Sequence, residues 1–361
     1  MENFANSISK WQKISGRHDL PWQRTRDPYR VWLSEIMLQQ TQVTAVIAYY
    51  TRFLEACPTV AALAAANSDT VMQLWAGLGY YARARNLHKA AKIVVQHHGG
   101  VFPHQFADIV ALPGIGRSTA GAISAFCFGQ RTAILDGNVK RVFTRHFGVV
   151  GDPGLKPIEN ALWQLAEAQL PTKNIEAYTQ GLMDLGASLC SRAAPKCLLC
   201  PLAETCVAKR DGLTASLPTR KVRKAVPHKQ TTVLILRRDD AVFIEQRPPA
   251  GIWGGLWSLP DLGAEFDVNN SLKTPEIRAS SGYQLNSLVG RKLAVEEHGF
   301  THFTLSITPF VIDVSATKVE KNLVAQEANT KWLNLSDVET AALPAPIKRI
   351  LLKLAQASLR G

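Results

Sequence analysis

The chain has 361 residues and a formal net charge of +12, with 41 Lys and Arg against 29 Asp and Glu. This length allows two domains, each with its own core. No apolar run of about 18 residues occurs, so we expect no membrane-spanning helix. The N-terminus, MENFANSISKWQK, lacks the apolar core of a signal peptide, so we expect a cytoplasmic protein.

The positive charge is unevenly distributed. Residues 1–218 contain 22 Lys and Arg against 15 Asp and Glu, and residues 219–229 add five positive charges and no acid. Residues 230–361 contain 14 of each sign. A basic surface on the first part of the chain suits a polyanion such as nucleic acid, and a merely soluble basic protein is an equal alternative.

The sequence pattern changes at the same place. Up to about residue 212, apolar residues recur every three to four positions, which predicts helices. After residue 230 the runs TTVLILRR, AVFIEQR and THFTLSITPFVIDV predict strands. We therefore predict an all-α domain at 1–218, a basic linker at 219–229 and an α+β domain at 230–361.

The first predicted helix of chemical interest follows Asp27 and carries Glu35. On a helical wheel the neighbours of Glu35 are two apolar residues and two amides, namely Val31, Leu38, Gln39 and Gln42. Removal from water there would raise the pKa of Glu35 and hold a proton near neutral pH. The simpler alternative is a solvated glutamate in the middle of a helix.

The segment LPGIGRSTAGAI follows a short predicted helix and contains two glycines in a tight turn, Gly114 and Gly116. A second helix is predicted from Arg117. Glycines allow close approach of a partner, and the N–H groups at a helix start attract phosphate. We predict a helix–hairpin–helix at 112–121 that grips a DNA backbone, with a plain corner between two helices as the alternative.

A second acidic candidate is Asp136, which ends an apolar run in AILDGNVKRVFTR. The alternative is a helix N-cap, and one aspartate can fill both roles.

Four of the six cysteines form the spacing C-x6-C-x2-C-x5-C over 190–206, namely Cys190, Cys197, Cys200 and Cys206. In a reducing compartment such a cluster binds metal more often than it forms disulfides. The single short pair fits a [4Fe–4S] cluster better than zinc. Cys57 and Cys127 lie in apolar helical runs and are expected in the core.

These stretches, together with WLSEIMLQQTQV, GLGYYARARNLHKAA, ILDGNVKRV and MDLGA, resemble the adenine DNA glycosylases, a branch of the helix–hairpin–helix glycosylases. The resemblance implies a helical glycosylase domain with one [4Fe–4S] cluster on the four cysteines and a Nudix-like C-terminal domain. The implied partner is double-stranded DNA that contains A:8-oxoguanine or A:G mispairs. We also expect a monomer that is associated with the nucleoid.

Carried over residue by residue, the resemblance makes Glu35 the general acid that protonates the adenine ring. Asp136 would stabilise the oxocarbenium-like sugar, and Asn138 would orient the sugar or Asp136. A purine leaves poorly until it is protonated, and the sugar cation needs a nearby anion. The adenine must first leave the base stack.

The resemblance also implies DNA contacts. Gln40, Leu78 and Tyr80 match residues that fill the gap or touch the opposite base. Contacts with the DNA backbone are expected from the hairpin and the cysteine loop, at Gly114, Gly116, Arg117, Ser118, Arg192 and Lys196.

Ser118 departs from the tyrosine that some members carry. Bifunctional pyrimidine glycosylases of the same fold carry lysine there, which forms a Schiff base with the sugar. We therefore predict a monofunctional enzyme. A bifunctional glycosylase/lyase and a non-catalytic iron–sulfur DNA-binding protein are the alternatives.

The stretches TTVLILRR, AVFIEQRP and GIWGGLWSLP resemble a Nudix domain. No R-E-x-x-E-E box occurs between 251 and 290, so we expect recognition of DNA rather than hydrolysis of nucleotides. The resemblance assigns contact with 8-oxoguanine to Phe300, Thr301 and His302. An ordinary strand or turn is the alternative for this segment.

Overall fold

A computed structural model describes residues 3–219, 225–264, 290–313 and 329–358. The contacts divide the chain into two compact units. The first comprises Met1–Ala66 and Arg85–Arg223, and the second comprises Asn67–Ala84 and Lys224–Gly361. Residues 220–224 of the predicted linker lie outside the described residues.

The helices that precede the linker are α1 Phe4–Ser15, α2 Pro28–Leu38, α3 Val43–Ala56, α4 Val60–Ala65, α5 Ser68–Trp75, α6 Ala82–His98, α7 Phe106–Ala111, α8 Arg117–Phe128, α9 Gly137–Phe147, α10 Lys156–Ala168, α11 Ile175–Ser188 and α12 Val207–Arg210. Short 3₁₀ helices occupy Pro21–Arg24 and Cys197–Leu199. None of the helices in the described ranges combines the length and apolar character needed to cross a bilayer.

Local sequence signals fix the ends of the helices near the later site. Asp27 caps α2, since its carboxylate accepts a hydrogen bond from the Tyr29 N–H at 2.9 Å. Helix α8 ends at Gly129 with φ of 62°, and α9 ends at Gly148 with φ of 68°. Glycine adopts this left-handed conformation without strain from a Cβ atom.

One hydrophobic core of the first unit lies between α1, α8, α9, α10 and α11. Phe4 packs edge-on against Phe143 at 5.4 Å between ring centroids. Gly186 of α11 lies against α9, since a Cβ atom there would sit 2.6 Å from the Cβ of Asn138. The close approach of these two helices fixes where α9 begins.

Helices α7 and α8 flank the turn predicted as a helix–hairpin–helix, and the structure confirms this arrangement. Gly114 has φ of 82°, and a Cβ atom there would lie 2.8 Å from the Cβ of Asn86. Only glycine fits this turn without displacing α6. Helix α8 also packs against α2, which brings the hairpin close to Glu35.

The second unit contains a mixed β-sheet and a C-terminal helix, as predicted for an α+β domain. The strands are β1 His228–Arg238, β2 Ala241–Gln246, β3 Trp257–Ser258, β4 Asp261–Gly263, β5 Gly290–Lys292, β6 Glu296–Gly299, β7 Thr304–Asp313 and β8 Thr330–Asn334, and the helix is α13 Ala345–Ser358. Residues 265–289, which include most of the interval without a Nudix box, lie outside the described residues.

Strand β1 is central in this sheet, whose order is β3-β2-β1-β7-β5. It pairs in parallel with β7, with His228 opposite Thr304 and Arg237 opposite Asp313, and antiparallel with β2. Strands β4, β6 and β8 pair with β1, β7 and β2, respectively. The apolar residues that pack on this sheet are Leu234, Leu236, Phe243, Phe310 and Ile312.

Helix α5 belongs by its contacts to the second unit, whereas the sequence boundary had placed it in the helical domain 1–218. Its Asp69 carboxylate accepts hydrogen bonds from Gln246 Nε2 at 3.1 Å and from Trp257 Nε1 at 3.2 Å. Gln73 Nε2 donates to the Thr340 carbonyl at 2.6 Å. These long-range hydrogen bonds explain why α5 groups with the second unit. Helical periodicity in the sequence cannot indicate such bonds.

Candidate active site

A pocket of about 970 Å³ opens in the first unit. Its walls come from the end of α2, the start of α8, the N-terminus of α9 and the segment 215–219. The sequence-predicted residues that line it are Glu35, Gln40, Ser118, Asp136, Asn138 and Arg192. The fold therefore brings side chains from distant parts of the chain to one cavity.

Glu35 lies one turn before the end of α2 and is half-buried. Burial raises its pKa from the ordinary value of 4.5 to about 8, and the negative charge of Asp136 adds to the rise. Glu35 is therefore mostly protonated at neutral pH. The predicted rise in its pKa is confirmed.

Glu35 also lines a second pocket of about 490 Å³ in the same unit. The walls of this pocket include Trp22, which is buried, and Phe126 and Gln180, which are half-buried. A carboxyl group shared by two neighbouring cavities can deliver a proton to a ligand that reaches from one into the other. The sequence did not single out these pocket residues.

Asp136 is the N-cap of α9, and its Oδ1 accepts the Val139 N–H at 2.7 Å. Burial raises the pKa of this carboxyl group. Hydrogen bonds from the N–H groups of Val139 and Asn138 and the charge of Arg141 oppose the rise. The helix start thus supplies Asp136 with groups that stabilise the carboxylate. The N-cap, which was the alternative role for Asp136, is confirmed.

Arg141 ties the start of α9 to the cysteine loop. Its Nη2 donates to Asn138 Oδ1 at 2.8 Å and to the Gly186 carbonyl at 2.6 Å, and its Nε donates to the Cys190 carbonyl at 2.7 Å. One guanidinium therefore holds the Asn138 side chain and the backbone at the first predicted metal ligand. No sequence pattern indicates this role, because Arg141 is an ordinary basic residue one turn into a predicted helix.

Arg17 lines both pockets, and no sequence pattern singles it out either. Its backbone N–H and its Nε donate to the buried carboxylate of Asp184 at 2.9 Å and 2.7 Å. Asp184 belongs to the motif MDLGA, whose role the sequence did not reveal. The pair holds Arg17 in the wall that the two cavities share, where Glu35 also lies.

Ser118 lies in the first turn of α8, and its Oγ accepts the Leu135 N–H at 2.9 Å. This bond joins the hairpin helix to the segment that leads into Asp136. Ser118 therefore has a structural partner in addition to its place in the pocket wall.

The hairpin residues Gly114 and Gly116 lie in the turn before α8, outside the walls of the large pocket. Arg117 faces α10: its guanidinium lies 3.9 Å from the Trp163 ring centroid and pairs with Glu167. Gln40 is exposed in the turn after α2 with φ of 59°.

Leu78 and Tyr80 lie in the turn between α5 and α6, which belongs to the second unit. Tyr80 is 44% exposed with φ of 49°, whereas Leu78 is only 7% exposed. Tyr80 is therefore available to a partner as it stands, and the Leu78 side chain is covered by protein.

Cys190, Cys197, Cys200 and Cys206 are free thiols that line one small cavity together with Arg145. Burial raises the pKa of Cys200 to about 11, and the charges of the other three cysteines add to the rise, which reflects their proximity. In the described ranges, however, no group of three or more ligand-type side chains is already arranged to hold a metal ion. Arg192 and Lys196 are exposed on this loop.

Of the cysteines outside the loop, Cys57 is buried, as predicted, and Cys127 is half-buried.

Phe300, Thr301 and His302 form a tight turn between β6 and β7, closed by a bond from the Phe300 N–H to the Phe303 carbonyl at 2.8 Å. Thr301 and His302 are exposed, and Phe300 stacks on Phe303 with 4.3 Å between ring centroids. The turn presents a hydroxyl and an imidazole to solvent.

Comparisons with known proteins agree with this architecture. Residues 33–168 match the HhH-GPD superfamily of base excision DNA repair proteins, and residues 231–353 match the NUDIX domain. An adenine DNA glycosylase of Buchnera aphidicola is 36% identical over 97% of this chain and 96% of its own. The human adenine DNA glycosylase is 31% identical over 96% of this chain and 73% of its own.

Among solved structures, a thermostable thymine-DNA glycosylase is 30% identical, with a TM-score of 0.53 over 58% of this chain and 95% of its own. An endonuclease III in a non-covalent DNA complex is 20% identical, with a TM-score of 0.50 over 58% of this chain and 94% of its own, which shows a shared fold. With a helix–hairpin–helix glycosylase fold, a Nudix domain and near full-length similarity to curated relatives, the chain belongs to the adenine DNA glycosylase family of base-excision repair enzymes.

Proposed function

We propose that this glycosylase hydrolyses the N-glycosidic bond of adenine opposite 8-oxoguanine or guanine in duplex DNA, without cutting the strand. The observation that carries the proposal is the pairing of Glu35, whose pKa is about 8, with Asp136 in one pocket. Two carboxyl groups of different protonation are what acid-assisted loss of a base requires.

In this mechanism the adenine leaves the base stack and enters the cavity that Trp22 lines. Glu35 donates its proton to a ring nitrogen of the adenine as the bond to the sugar lengthens. Its placement between the two pockets supports this role, because the base and the sugar then lie on either side of one carboxyl group.

Asp136 stabilises the positive charge that develops on the sugar. Its support by the Val139 N–H, at 2.7 Å, holds the carboxylate at the start of α9. Arg141 fixes Asn138 beside it, so Asn138 acts as a positioning residue for the sugar or for Asp136. Water then adds to the sugar carbon, and the products are free adenine and an abasic site.

Monofunctional action is supported by the state of Ser118 and Lys140 near the site, because neither is available as an amine nucleophile. Ser118 stands where a lyase of this fold carries lysine, and it has no amine to form a Schiff base. The pocket does contain Lys140, but its Nζ is 2.8 Å from Glu159 Oε1, and an ammonium held by a carboxylate is a poor nucleophile.

We also propose that Cys190, Cys197, Cys200 and Cys206 hold one [4Fe–4S] cluster. Four unpaired thiols around one cavity fit the ligand set of such a cluster. When bound, the cluster would brace the loop 190–206, whose exposed Arg192 and Lys196 meet the DNA phosphates. The chemistry stays with the two carboxyl groups.

The opposite base is read by the turn at 300–302, with Thr301 as the contact to 8-oxoguanine. Gln40 and Tyr80 touch the DNA interior, and Gly114, Gly116 and Arg117 hold the backbone. The protein acts as a monomer in the cytoplasm, associated with the nucleoid.

The test is a single-turnover assay on duplexes with A:8-oxoguanine, A:G and A:T pairs. Wild type should release adenine from the two mispairs and leave an alkali-labile, uncut strand. Glu35→Gln should lose release by at least a factor on the order of 100 while duplex binding is kept. Glu55→Gln, at an exposed position on α3, is the matched control and should keep the wild-type rate.

Two results would reject parts of the proposal. A wild-type rate of adenine release in Glu35→Gln would show that Glu35 is not the general acid. Strand cleavage with an intermediate that borohydride traps would show that the enzyme is a lyase. The [4Fe–4S] cluster is tested by iron analysis and by the absorption spectrum. We expect about four irons per chain and broad absorbance in the blue region of the visible spectrum. Stoichiometric zinc without iron would exclude it.

A further inference from the structure

Two buried side chains hold the turn between α5 and α6. Trp75 ends α5 and has no exposed surface, and Arg83 lies in the first turn of α6 with 9% exposed. An arginine is seldom buried unless its donors are satisfied, and burial lowers the pKa of Arg83 to about 10. The groups that it faces therefore show what its burial stabilises.

Those groups include two carbonyls of the turn itself. Arg83 Nη2 donates to the Leu78 carbonyl and to the Gly79 carbonyl, both at 3.1 Å. Trp75 Nε1 donates to the same Gly79 carbonyl at 3.2 Å. The Arg83 guanidinium also lies over two rings, at 5.3 Å from the Trp75 centroid and 5.6 Å from the Tyr80 centroid.

The turn needs such support, because its backbone is unusual. Gly77, Gly79 and Tyr80 have φ of 102°, 70° and 49°. The left-handed region is disfavoured for a residue with a Cβ atom, so Tyr80 does not adopt it without help from its surroundings. The result is a large aromatic side chain that remains 44% exposed while its backbone is held.

We propose that Arg83, together with Trp75, is a positioning residue that fixes turn 77–80 and so presents Tyr80 to an unstacked base of duplex DNA. The DNA contact of Tyr80 rests on the proposed function, whereas the fixing of the turn does not. An aromatic ring that is already in place loses little conformational freedom when a base stacks on it. Without the hydrogen-bond donors of Arg83 and Trp75, the turn would have to become ordered when DNA binds, and this ordering would weaken the binding.

The first experiment measures the turn in the free protein. Amide hydrogen exchange of the segment 76–82 should be about tenfold faster in Arg83→Lys, because lysine lacks the planar guanidinium that bridges both carbonyls. Trp75→Phe keeps the buried ring and removes only the Nε1 donor, so it should show a smaller increase. Lys89→Gln, at an exposed position on α6, removes a charge without touching the turn and should exchange like wild type. Unchanged exchange in both Arg83→Lys and Trp75→Phe would overturn the proposal.

The second experiment is a double-mutant cycle on binding. The ligand is a duplex with adenine opposite 8-oxoguanine, in which a sugar substituent that destabilises the cation prevents cleavage. Arg83→Lys should weaken binding about tenfold, the scale of one base–aromatic stack. In a Tyr80→Ala background the same change should weaken binding less than twofold, because the ring that it positions is absent.

Equal losses from Arg83→Lys in both backgrounds would show a general structural role and overturn the proposal, as would wild-type binding by Tyr80→Ala. The adenine-release assay on wild type is scored separately. If wild type releases no adenine while exchange and coupling behave as expected, the proposed function fails and the positioning of Tyr80 on duplex DNA stands.

Discussion

The rate of adenine release should depend on pH through the proton on Glu35. Burial, together with the Asp136 charge, raises its pKa from 4.5 to about 8, so the protonated form prevails at neutral pH and is lost as pH rises through 8. A general acid acts only while it holds its proton. The single-turnover rate should therefore be nearly flat from pH 6 to pH 7 and should fall at higher pH.

The size of the effect follows from the two pKa values. At pH 7 a glutamate with pKa 8 is about 90% protonated, whereas one with pKa 4.5 is about 0.3% protonated, a difference of roughly 300-fold. Between pH 7 and pH 9 the protonated fraction should fall about tenfold. The same shift is worth about 5 kcal/mol between the two protonation states, so ionised Glu35 destabilises the fold at high pH.

The assay is single-turnover adenine release from an A:8-oxoguanine duplex across pH 5.5 to 9.5, with duplex binding measured at each pH. Glu35→Gln should remove both the activity and its alkaline limb, and its free energy of unfolding should exceed that of wild type at pH 9. A rate that stays constant to pH 9.5, or one that already falls between pH 5.5 and pH 7, would refute the assignment of the acid.

Replacement of Asp136 by Asn should abolish adenine release while gel-shift affinity for the mispair is kept, since only the developing cation loses its anion. Arg141→Gln should slow single-turnover release on the order of 100-fold through misplacement of Asn138, with iron content measured as the control. His146 is buried with Nδ1 unpartnered, and burial lowers its pKa from 6.5 to about 4. Stability should therefore fall as pH drops below 6.5, by about 2 kcal/mol between pH 7.5 and pH 5 in urea unfolding, and less in His146→Phe. Thr301→Ala should lose about 1–3 kcal/mol of the preference for A:8-oxoguanine over A:G in relative release rates, and Thr301→Ser should keep it.

The sequence predicted those features that local patterns determine. The wheel position of Glu35 indicated a half-apolar setting, and the raised pKa agrees with it. The hairpin followed from Gly114 and Gly116 before a new helical pattern, and Gly114 does adopt the left-handed conformation that glycine allows. Asp136 was recognised as an N-cap because an acidic residue followed an apolar run and preceded a helical pattern.

The remaining features depend on contacts between residues far apart in the chain. Arg141 and Arg17 are ordinary basic residues in the sequence, and only the fold brings them to Cys190 and Asp184. Helix α5 has a helical pattern like its neighbours, so its hydrogen bonds to Gln246 and Trp257 could not be anticipated. Periodicity indicates which face of a helix is buried but not which partner covers it.

The two carboxyl groups of the pocket differ in the groups that act against the effect of burial on their pKa values. Both pKa values are raised by burial, but only that of Asp136 is lowered again by backbone N–H groups at a helix start and by Arg141. For Glu35 the second contribution is the Asp136 charge, which acts in the same direction as burial. The charge of Asp136 in its carboxylate form therefore helps to keep the proton on Glu35, and removal of that charge should make Glu35 a stronger but less protonated acid. The arrangement of α9 thus contributes to the raised pKa of a residue on α2. A proton donor for the base and a carboxyl group near the sugar are what departure of a protonated base requires, because a sugar cation develops as the bond breaks.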